Sequence, residues 1–384
     1  MFERKLALVA APGRFVLRTR GTLFSDKNVA TNGKRTNNVR AEARVGGGPW
    51  PPGVRLVASL SPIWVSSARE QLLALRHPNG GWGYRAESSM CVEPTVLGCL
   101  ALASCDGSVP TETTKQILAH DSRLISRLQQ NDGAVGVSAD IPRPQWPTAM
   151  AALLWRNTGG HKSAVARSLQ WLLRRQGNSF PKPPNSALGH DTSIPGWPWV
   201  AGTHPWLEPT AMAVLALSGL GHSSHDRVVS GVRLILDRSI ASGGWNVGNS
   251  AVFGRPLRPH PAPTGLALLA LKAAGQPANR TVIKACGYLE RALAGTRSPE
   301  SLCWSILGWT VWRGHLDLAV EWLQESFYSS PTLHSSPTRL AYLLLAAHAT
   351  AATSCLGFQV SGAKEDLMAT RVRAEMVGTE NAGT

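Results

Sequence analysis

The chain has 384 residues, a formal net charge of +15 from 39 Lys plus Arg against 24 Asp plus Glu, and a hydrophobic content of 43%. That hydrophobic content supports a large core and excludes disorder over the whole length. Residues 1–62 carry eleven basic and three acidic side chains, about half of the excess charge, so we expect no nucleic-acid partner. Tryptophan is unusually frequent, with 14 residues against 7 Phe and 4 Tyr.

The first 62 residues are rich in Arg, Gly, Asn and Pro and have no periodic apolar face, which predicts a basic, disordered N-terminal arm. The six cysteines show no Cys-x-x-Cys spacing and no secretory signal precedes them, so we expect reduced thiols and a cytoplasmic location. The most apolar stretch, 340–360, contains His, Thr, Ser and Gln and is interpreted as a buried helix with a following loop. A peripheral membrane contact and the oligomeric state stay open.

From residue 63 onwards, two kinds of segment alternate. The first kind is amphipathic and charged, which predicts helices with one face in water. The second kind is apolar around most of its circumference, which predicts helices buried on all sides. The amphipathic segments are approximately 64–76, 111–130, 162–176, 225–241, 279–294 and 315–327.

Each apolar run begins with Pro-Thr or a degenerate form of it. Proline suits the first turn of a helix, where its missing N–H costs nothing. The intact copies start at Pro94, Pro147, Pro209, Pro263 and Pro337, and the degenerate copy is 301–309. Six outer helices alternating with six inner helices predict an all-α fold, an (α/α)6 toroid over 63–355, followed by a flexible tail over 356–384.

The loops after the outer helices carry a second repeat. It consists of Gly80-Gly81-Trp82, Gly243-Gly244-Trp245 and the related segment 129–133, Gln-Gln-Asn-Asp-Gly. We expect the glycines to end the helices in a left-handed conformation and the tryptophans to pack between neighbouring repeats. The longest of these connections is the insertion 177–208.

Together, the Gln/Gly/Trp loops and the Pro-Thr-Ala starts of the inner helices resemble the terpenoid cyclase and protein prenyltransferase superfamily, specifically its squalene–hopene-cyclase-like repeat proteins. The resemblance covers about 64–353. It implies the toroid fold and, as an expectation, an isoprenoid-handling protein of the cyclase (isomerase) or transferase type. Because the repeats are scaffold and the superfamily includes non-catalytic members, the resemblance alone does not select an activity.

Two motifs of that superfamily are only partly present. When Thr210-Ala211 is laid on the Asp-x-Asp-Asp-Thr-Ala motif of class II cyclases, Glu208 takes the place of the central acid, while Trp206 and Pro209 replace the other two aspartates. The sequence Glu-Pro-Thr also occurs at Glu93. The alternative is that both glutamates lie near a helix N-terminus only because its dipole favours them.

The zinc site of protein prenyltransferases is also incomplete. Cys303-Trp304-Ser305 resembles the cysteine ligand in its context, but Ser301 and Pro337 stand where the Asp and His ligands would be. A single thiolate cannot complete a tetrahedral zinc site. His222 and His225 have ligand-like spacing, yet they favour a capped turn, so we expect neither a metal nor a cofactor.

The insertion is the best candidate for a functional site, since it places three Trp, two His and two acidic residues within 189–208. Indole faces can line an apolar pocket and stabilise a cation; the alternative is a hydrophobic plug over one end of the toroid. The candidate catalytic residues are Glu208 as the general acid with Asp191, His190 and His204 as partners. The candidate substrate-binding residues are Trp197, Trp199, Trp206, Glu93 and Trp82.

These expectations define a leading function and two rivals. The leading hypothesis is an isoprenoid-handling toroid, cyclase-like or prenyltransferase-like, with a Trp-lined cavity and an apolar or isoprenoid small-molecule partner. The first rival is a non-catalytic binding or scaffold toroid that has lost the acid motif. The second is a carbohydrate-active toroid with paired carboxylates and Trp platforms.

Overall fold

The computed structural model describes residues 63–105, 110–329 and 335–351, together with the short strands at 354–355 and 358–359. The chain divides into the units Met1–Ala58 and Ser59–Thr384, and every described residue belongs to the second. The predicted N-terminal arm, 1–62, and most of the predicted tail, 356–384, therefore lie outside the described residues.

Twelve α-helices make up most of the described chain, in the alternating order that the sequence predicts. The odd-numbered helices correspond to the amphipathic segments: α1 (Ile63–Ala74), α3 (Glu112–Arg127), α5 (Lys162–Arg174), α7 (Asp226–Asp237), α9 (Arg280–Leu293) and α11 (Ala319–Ser329). The even-numbered helices correspond to the apolar runs: α2 (Val92–Cys105), α4 (Thr148–Thr158), α6 (Leu207–Gly219), α8 (Pro261–Ala273), α10 (Pro299–Arg313) and α12 (Pro337–Ala351).

The even-numbered helices form a closed inner ring. Each packs against the next in the order α2, α4, α6, α8, α10 and α12, and α12 packs back against α2. Each odd-numbered helix packs on the outside against the inner helices that flank it in sequence, and α1 packs against α12 as well as α2. The predicted (α/α)6 toroid is confirmed by this arrangement.

Burial follows the hydrophobic pattern of each layer. In the inner helix α6, every residue from Leu207 to Ser218 is buried except Glu208. In the outer helix α9, the buried residues recur at intervals of three or four and occupy one face. They are Val282, Ala285, Cys286, Leu289 and Leu293. The inner ring is tightest between α8 and α10, where a Cβ added to Gly265 would lie 2.0 Å from the carbonyl oxygen of Trp304.

The threonine of the Pro-Thr repeat ties the inner helices α2, α4, α6 and α8 to the loops before them. In four repeats the Thr hydroxyl accepts a hydrogen bond from the backbone N–H of a loop residue, at 2.9–3.0 Å. The pairs are Trp82 with Thr95, Val135 with Thr148, Trp197 with Thr210 and Trp245 with Thr264. The repeat therefore satisfies a buried backbone donor that would otherwise lack a partner.

The loop tryptophans tie the same loops to the outer helices. The indole Nε1–H of Trp82, Trp197 and Trp245 donates to the carbonyl of the third residue from the end of the preceding outer helix, at 2.6–2.9 Å. Those carbonyls belong to the last turn, which has no intrahelical donors. The glycines before Trp82 and Trp245 have positive φ, as expected for helix-ending loops.

Two small hairpins are the only strands in the described chain. Strand β1 (Ala251–Val252) pairs with β2 (Arg255–Pro256), and Leu188 of the long insertion forms a bridge to Val252. Strand β3 (Ser354–Cys355) pairs with β4 (Phe358–Gln359), so regular structure extends a few residues beyond the predicted end of the toroid. None of the described helices has the length and apolar content that crossing a membrane requires.

Candidate functional site

Three glutamates come together at one end of the inner ring. Glu93, Glu208 and Glu300 are each the second residue of an inner helix, α2, α6 and α10 respectively. These three helices alternate with α4, α8 and α12 around the ring. The charge of Glu300 raises the pKa of Glu93, and the charges of Glu300 and Glu93 raise the pKa of Glu208. We call this set the glutamate rim.

Glu208 has a strongly altered proton affinity. Burial, followed by the charges of Glu300 and Glu93, raises its pKa from 4.5 to about 7. Its helix N-terminus acts in the opposite direction by about 0.3–1 kcal/mol, which is less than the ~1.4 kcal/mol of a single pKa unit. Burial and like charge therefore prevail over the dipole, and a large fraction of Glu208 is protonated near neutral pH.

Glu93 differs from Glu208 in its hydrogen bonds. The Tyr84 hydroxyl donates to Glu93 Oε2 at 2.5 Å. Burial and the charge of Glu300 raise the pKa of Glu93, while this hydrogen bond and the nearby Tyr342 hydroxyl oppose that rise. In the part of the chain that the structure describes, no donor bonds the carboxyl of Glu208. Burial and like charge therefore act on the pKa of Glu208 without an opposing hydrogen bond.

Aromatic rings lie beside the rim. Tyr342 is buried, and its ring meets that of Trp304 edge to face with centroids 6.1 Å apart. Burial is also the cause that raises the pKa of Glu300, although its side chain keeps contact with solvent. The rim therefore combines three carboxyls with aromatic surface at a position that solvent can reach.

A separate cavity of about 230 Å³ lies in the long insertion. Its walls are Phe180, Leu188, His190, Thr192, His204, Pro205, Trp206, Arg238 and Asn249, and we call it the lateral cavity. The insertion supplies seven of these residues, while Arg238 ends α7 and Asn249 belongs to the loop before β1. The hydrogen bond from Gly189 N–H to the carbonyl of Ala251, at 2.9 Å, joins the two segments.

The structure divides the predicted catalytic residues between these two places. His190 and His204 line the lateral cavity, and the charges that act on them come from Arg238 and neighbouring groups other than Glu208. Asp191 accepts two hydrogen bonds from Ser193, which lower its pKa. Glu208 is instead coupled to Glu93 and Glu300. Glu93 is therefore beside the candidate acid, and the two histidines and Asp191 are not among its partners.

The predicted tryptophans also have different surroundings. Trp82 and Trp197 are buried with their indole N–H groups bonded to outer-helix carbonyls, so they hold repeats together. The guanidinium of Arg227 covers the Trp197 ring at 4.3 Å. Trp199 is half-buried and meets Trp146 edge to face at 5.1 Å. The Trp206 ring contacts the His204 ring in a tilted arrangement, with centroids 4.6 Å apart, and lines the lateral cavity.

Glu300, Tyr84 and Arg238 were not predicted from the sequence. The signal for Glu300 was its position in the first turn of the degenerate sixth repeat, two residues before Leu302, as Glu208 stands two residues before Thr210. Tyr84 and Arg238 have no such signal, because each reaches its partners through the folding of a loop.

The residues weighed as metal ligands have other partners. Cys303 is buried in α10. His225 is the N-cap residue of α7, and its Nδ1 accepts from the backbone N–H of Arg227 at 3.1 Å. Within 63–105, 110–329 and 335–351, no three His, Cys, Asp or Glu side chains are arranged to hold a metal ion.

No protein-family model and no curated protein matches this chain. Among solved structures, it is similar to the type II terpene cyclase MstE from Scytonema in complex with geranylgeranyl dihydroxybenzoate, with 15% identity, 74% of this chain and 98% of that chain covered, and a TM-score of 0.49. It is also similar to Candida albicans protein geranylgeranyltransferase-I complexed with GGPP, with 11% identity, coverage of 72% and 90%, and a TM-score of 0.43.

A third similar structure is a novel alpha-amylase from Clostridium perfringens, with 11% identity, coverage of 73% and 97%, and a TM-score of 0.49. At these identities and TM-scores, none of the three neighbours determines what this chain binds or converts.

Proposed function

We propose that this protein handles an apolar, isoprenoid-type small molecule at the glutamate rim, with Glu208 as the proton donor. The observation that carries the proposal is the convergence of three glutamates from the first turns of α2, α6 and α10, where burial and the two neighbouring carboxyls raise the pKa of Glu208 to about 7. A general acid is most effective when its pKa lies near the working pH. Glu208 meets that condition, whereas an ordinary glutamate would be ionised.

The acid strength of Glu208 limits which functional groups of a substrate it can protonate. A carboxyl with a pKa near 7 is a weak acid, so an oxygen atom is a better acceptor for its proton than an unactivated alkene. On an allylic alcohol or an epoxide, the proton of Glu208 would pass to the substrate oxygen. The C–O bond would then break with its electron pair on oxygen, leaving a carbocation.

The remaining rim groups suit a developing cation. Glu93 and Glu300 would stabilise positive charge as carboxylates, and the faces of Trp304 and Tyr342 would do so by cation–π attraction. Glu93 is held in place by the hydrogen bond from Tyr84. Fixed groups of this kind need no rearrangement when charge develops, which is the condition for electrostatic catalysis.

The test is turnover by the full chain. We would incubate it with geranylgeraniol, oxidosqualene, squalene and geranylgeranyl diphosphate, and analyse the extracted lipids by mass spectrometry. We expect a product from an oxygen-bearing substrate, and Glu208→Gln should abolish it because the amide cannot donate an acidic proton. Glu93→Gln is the comparison variant and should lower the rate without abolishing it, because it removes one cation-stabilising carboxylate but keeps the proton of Glu208 and can still accept from Tyr84.

Other outcomes would replace the proposal. Recovery of bound but unchanged lipid, with equal binding by wild type and Glu208→Gln, would favour the non-catalytic binding toroid. Release of reducing sugar from soluble starch, lost in the same variant, would assign the rim to glycoside hydrolysis instead.

A further inference from the structure

We propose that the lateral cavity binds a small carboxylate with an apolar body. The cavity is distinct from the glutamate rim, and the proposal does not depend on the function proposed for the rim. It rests on two deeply buried polar side chains that leave hydrogen-bonding atoms unused in the cavity wall, and on the apolar residues that make up the rest of the wall.

Arg238 is the first of these side chains. It is 2% exposed, and its Nη1 donates to the carbonyl of Gly248 at 2.7 Å. Its Nε is fully buried, with Asp237 Oδ2 3.6 Å away, whereas its Nη2 makes no hydrogen bond within the described chain and is not among the fully buried atoms. A buried guanidinium normally has its N–H groups paired, because an unpaired buried donor is costly. An anion in the cavity could supply the missing acceptor.

His190 is the second of the two deeply buried polar side chains. It is also 2% exposed, and its Nδ1 is fully buried, whereas its Nε2 makes no hydrogen bond within the described chain and is not among the fully buried atoms. Burial and the charge of Arg238 lower its pKa to about 4, so the imidazole is neutral at pH 7. A neutral imidazole has one N–H donor and adds no charge. It can therefore donate to a ligand oxygen beside Arg238 without attracting a second anionic charge.

The local charge balance favours a monoanion. Besides Arg238, the charged groups that act on His190 include Lys182, whose Nζ donates to the carbonyl of Gly189, and Asp191. Asp237 stands beside Arg238. Two cationic and two anionic side chains thus leave no excess of positive charge. A carboxylate matches one guanidinium edge plus a neutral donor, whereas a phosphate dianion would need more cations.

The rest of the wall determines the body of the ligand. Phe180, Leu188, Pro205 and Trp206 present mostly apolar surface, and the Trp206 ring is held by its contact with the His204 ring. The volume of about 230 Å³ is below the roughly 300–1,000 Å³ of pockets for drug-sized ligands. A single ring or a short branched chain bearing one carboxylate fits these walls.

The test compares a carboxylate with its neutral analogue on the full wild-type chain. Binding of 4-fluorobenzoate and of 4-fluorobenzyl alcohol would be measured by ¹⁹F NMR titration at pH 7, with inorganic phosphate as competitor. We expect the carboxylate to bind at least tenfold more tightly than the alcohol, and phosphate to displace it only weakly. Equal binding of the two probes, or no binding of the carboxylate, would overturn the proposal.

Variants then locate the site. Arg238→Met should weaken 4-fluorobenzoate binding at least tenfold, while Arg233→Met, which removes an exposed arginine from the same helix, should not. If Arg238→Met does not fold, Leu188→Trp serves instead, because it fills the cavity without removing a buried charge. Glu208→Gln should bind the probe like wild type. Loss of binding in Glu208→Gln but not in the cavity variants would place the ligand at the rim and overturn the proposal, as would tighter binding of phosphate.

Discussion

The glutamate rim gathers three acids from the same position of three helices, whereas the lateral cavity gathers an arginine and two histidines from segments that occur once in the chain. In the rim, burial and like charge raise the pKa of Glu208. In the cavity, burial and a neighbouring cation lower the pKa of His190. Both places thus favour the neutral form of a titratable group near neutral pH. Neighbouring negative charges do so for Glu208, and a neighbouring positive charge does so for His190. A repeated scaffold can generate one such place by symmetry, and an insertion can add another.

The largest effect on stability is expected at Gly248, which shapes the lateral cavity. Its φ is +148°, and a Cβ there would lie 3.0 Å from the Trp206 ring. Gly248→Ala should cost about 1–3 kcal/mol through backbone strain and this contact, and should weaken binding of 4-fluorobenzoate. The measurements are Tm by calorimetry and the ¹⁹F titration. The same Cβ would also lie 3.4 Å from the backbone nitrogen of Leu207, the residue before Glu208, so the activity that depends on Glu208 should be measured in the same variant. A parallel loss of that activity would show that the two places are coupled through the start of α6, and its retention would show that they are independent.

The rim should make the protein less stable as pH rises. The folded pKa of Glu208 is about 7 against an ordinary value of 4.5, so its contribution to the free energy of unfolding is full below pH 4.5 and is lost as pH rises through 7. Glu208→Gln removes this loss and should raise Tm by about 2–4 °C at pH 8, with little change at pH 4.5. A Tm difference that does not vary with pH would argue against the raised pKa.

The lateral cavity should have the opposite effect and make the protein less stable as pH falls. The folded pKa of His190 is about 4 against an ordinary value of 6.5, so its contribution is full above pH 6.5 and is lost as pH falls through 4. His190→Asn, which cannot be protonated, should therefore lose about 1–3 °C less than wild type between pH 7 and pH 4.5. An NMR titration in which the His190 imidazole is protonated with a midpoint near 6.5 would contradict this expectation.

The smallest predicted effect separates the two neighbours of Glu208. Glu300 contributes more than Glu93 to raising the pKa of Glu208. Glu300→Gln should therefore lower that pKa, and Glu93→Gln should lower it by less. Titration of ¹³C-labelled glutamate carboxyls in the two variants would measure both shifts. The reverse order would mean that Glu93 is the nearer charge.

The sequence predicted the fold more completely than the site because the fold depends on a repeat. The Pro-Thr starts and the Gly-Trp loops recur, and the structure accounts for both through the threonine and indole hydrogen bonds described above. Glu93 and Glu208 were predicted as candidates for the same reason, since each precedes a Pro-Thr. Glu300 was missed because its copy has lost that marker.

The lateral cavity was harder to predict because nothing in it repeats. The abundance of Trp and His in the insertion was a correct signal that this segment differs from an ordinary connection. It could not indicate that Trp197 bonds to the outer helix α5 while Trp206 faces a cavity. The composition of the insertion also could not predict the role of Arg238. This residue lies more than thirty residues beyond Trp206 in the chain and meets the insertion only after folding.

The closed ring also has a consequence for how the chain folds. Most contacts between inner helices join neighbours in the repeat order, and these can form progressively along the chain. The contact between α2 and α12 is different, because more than two hundred residues separate these helices. Loop closure over that distance is slow compared with local helix pairing. We therefore expect the repeats to assemble as an open array first, with the docking of α12 on α1 and α2 as the late kinetic step that makes the toroid cooperative.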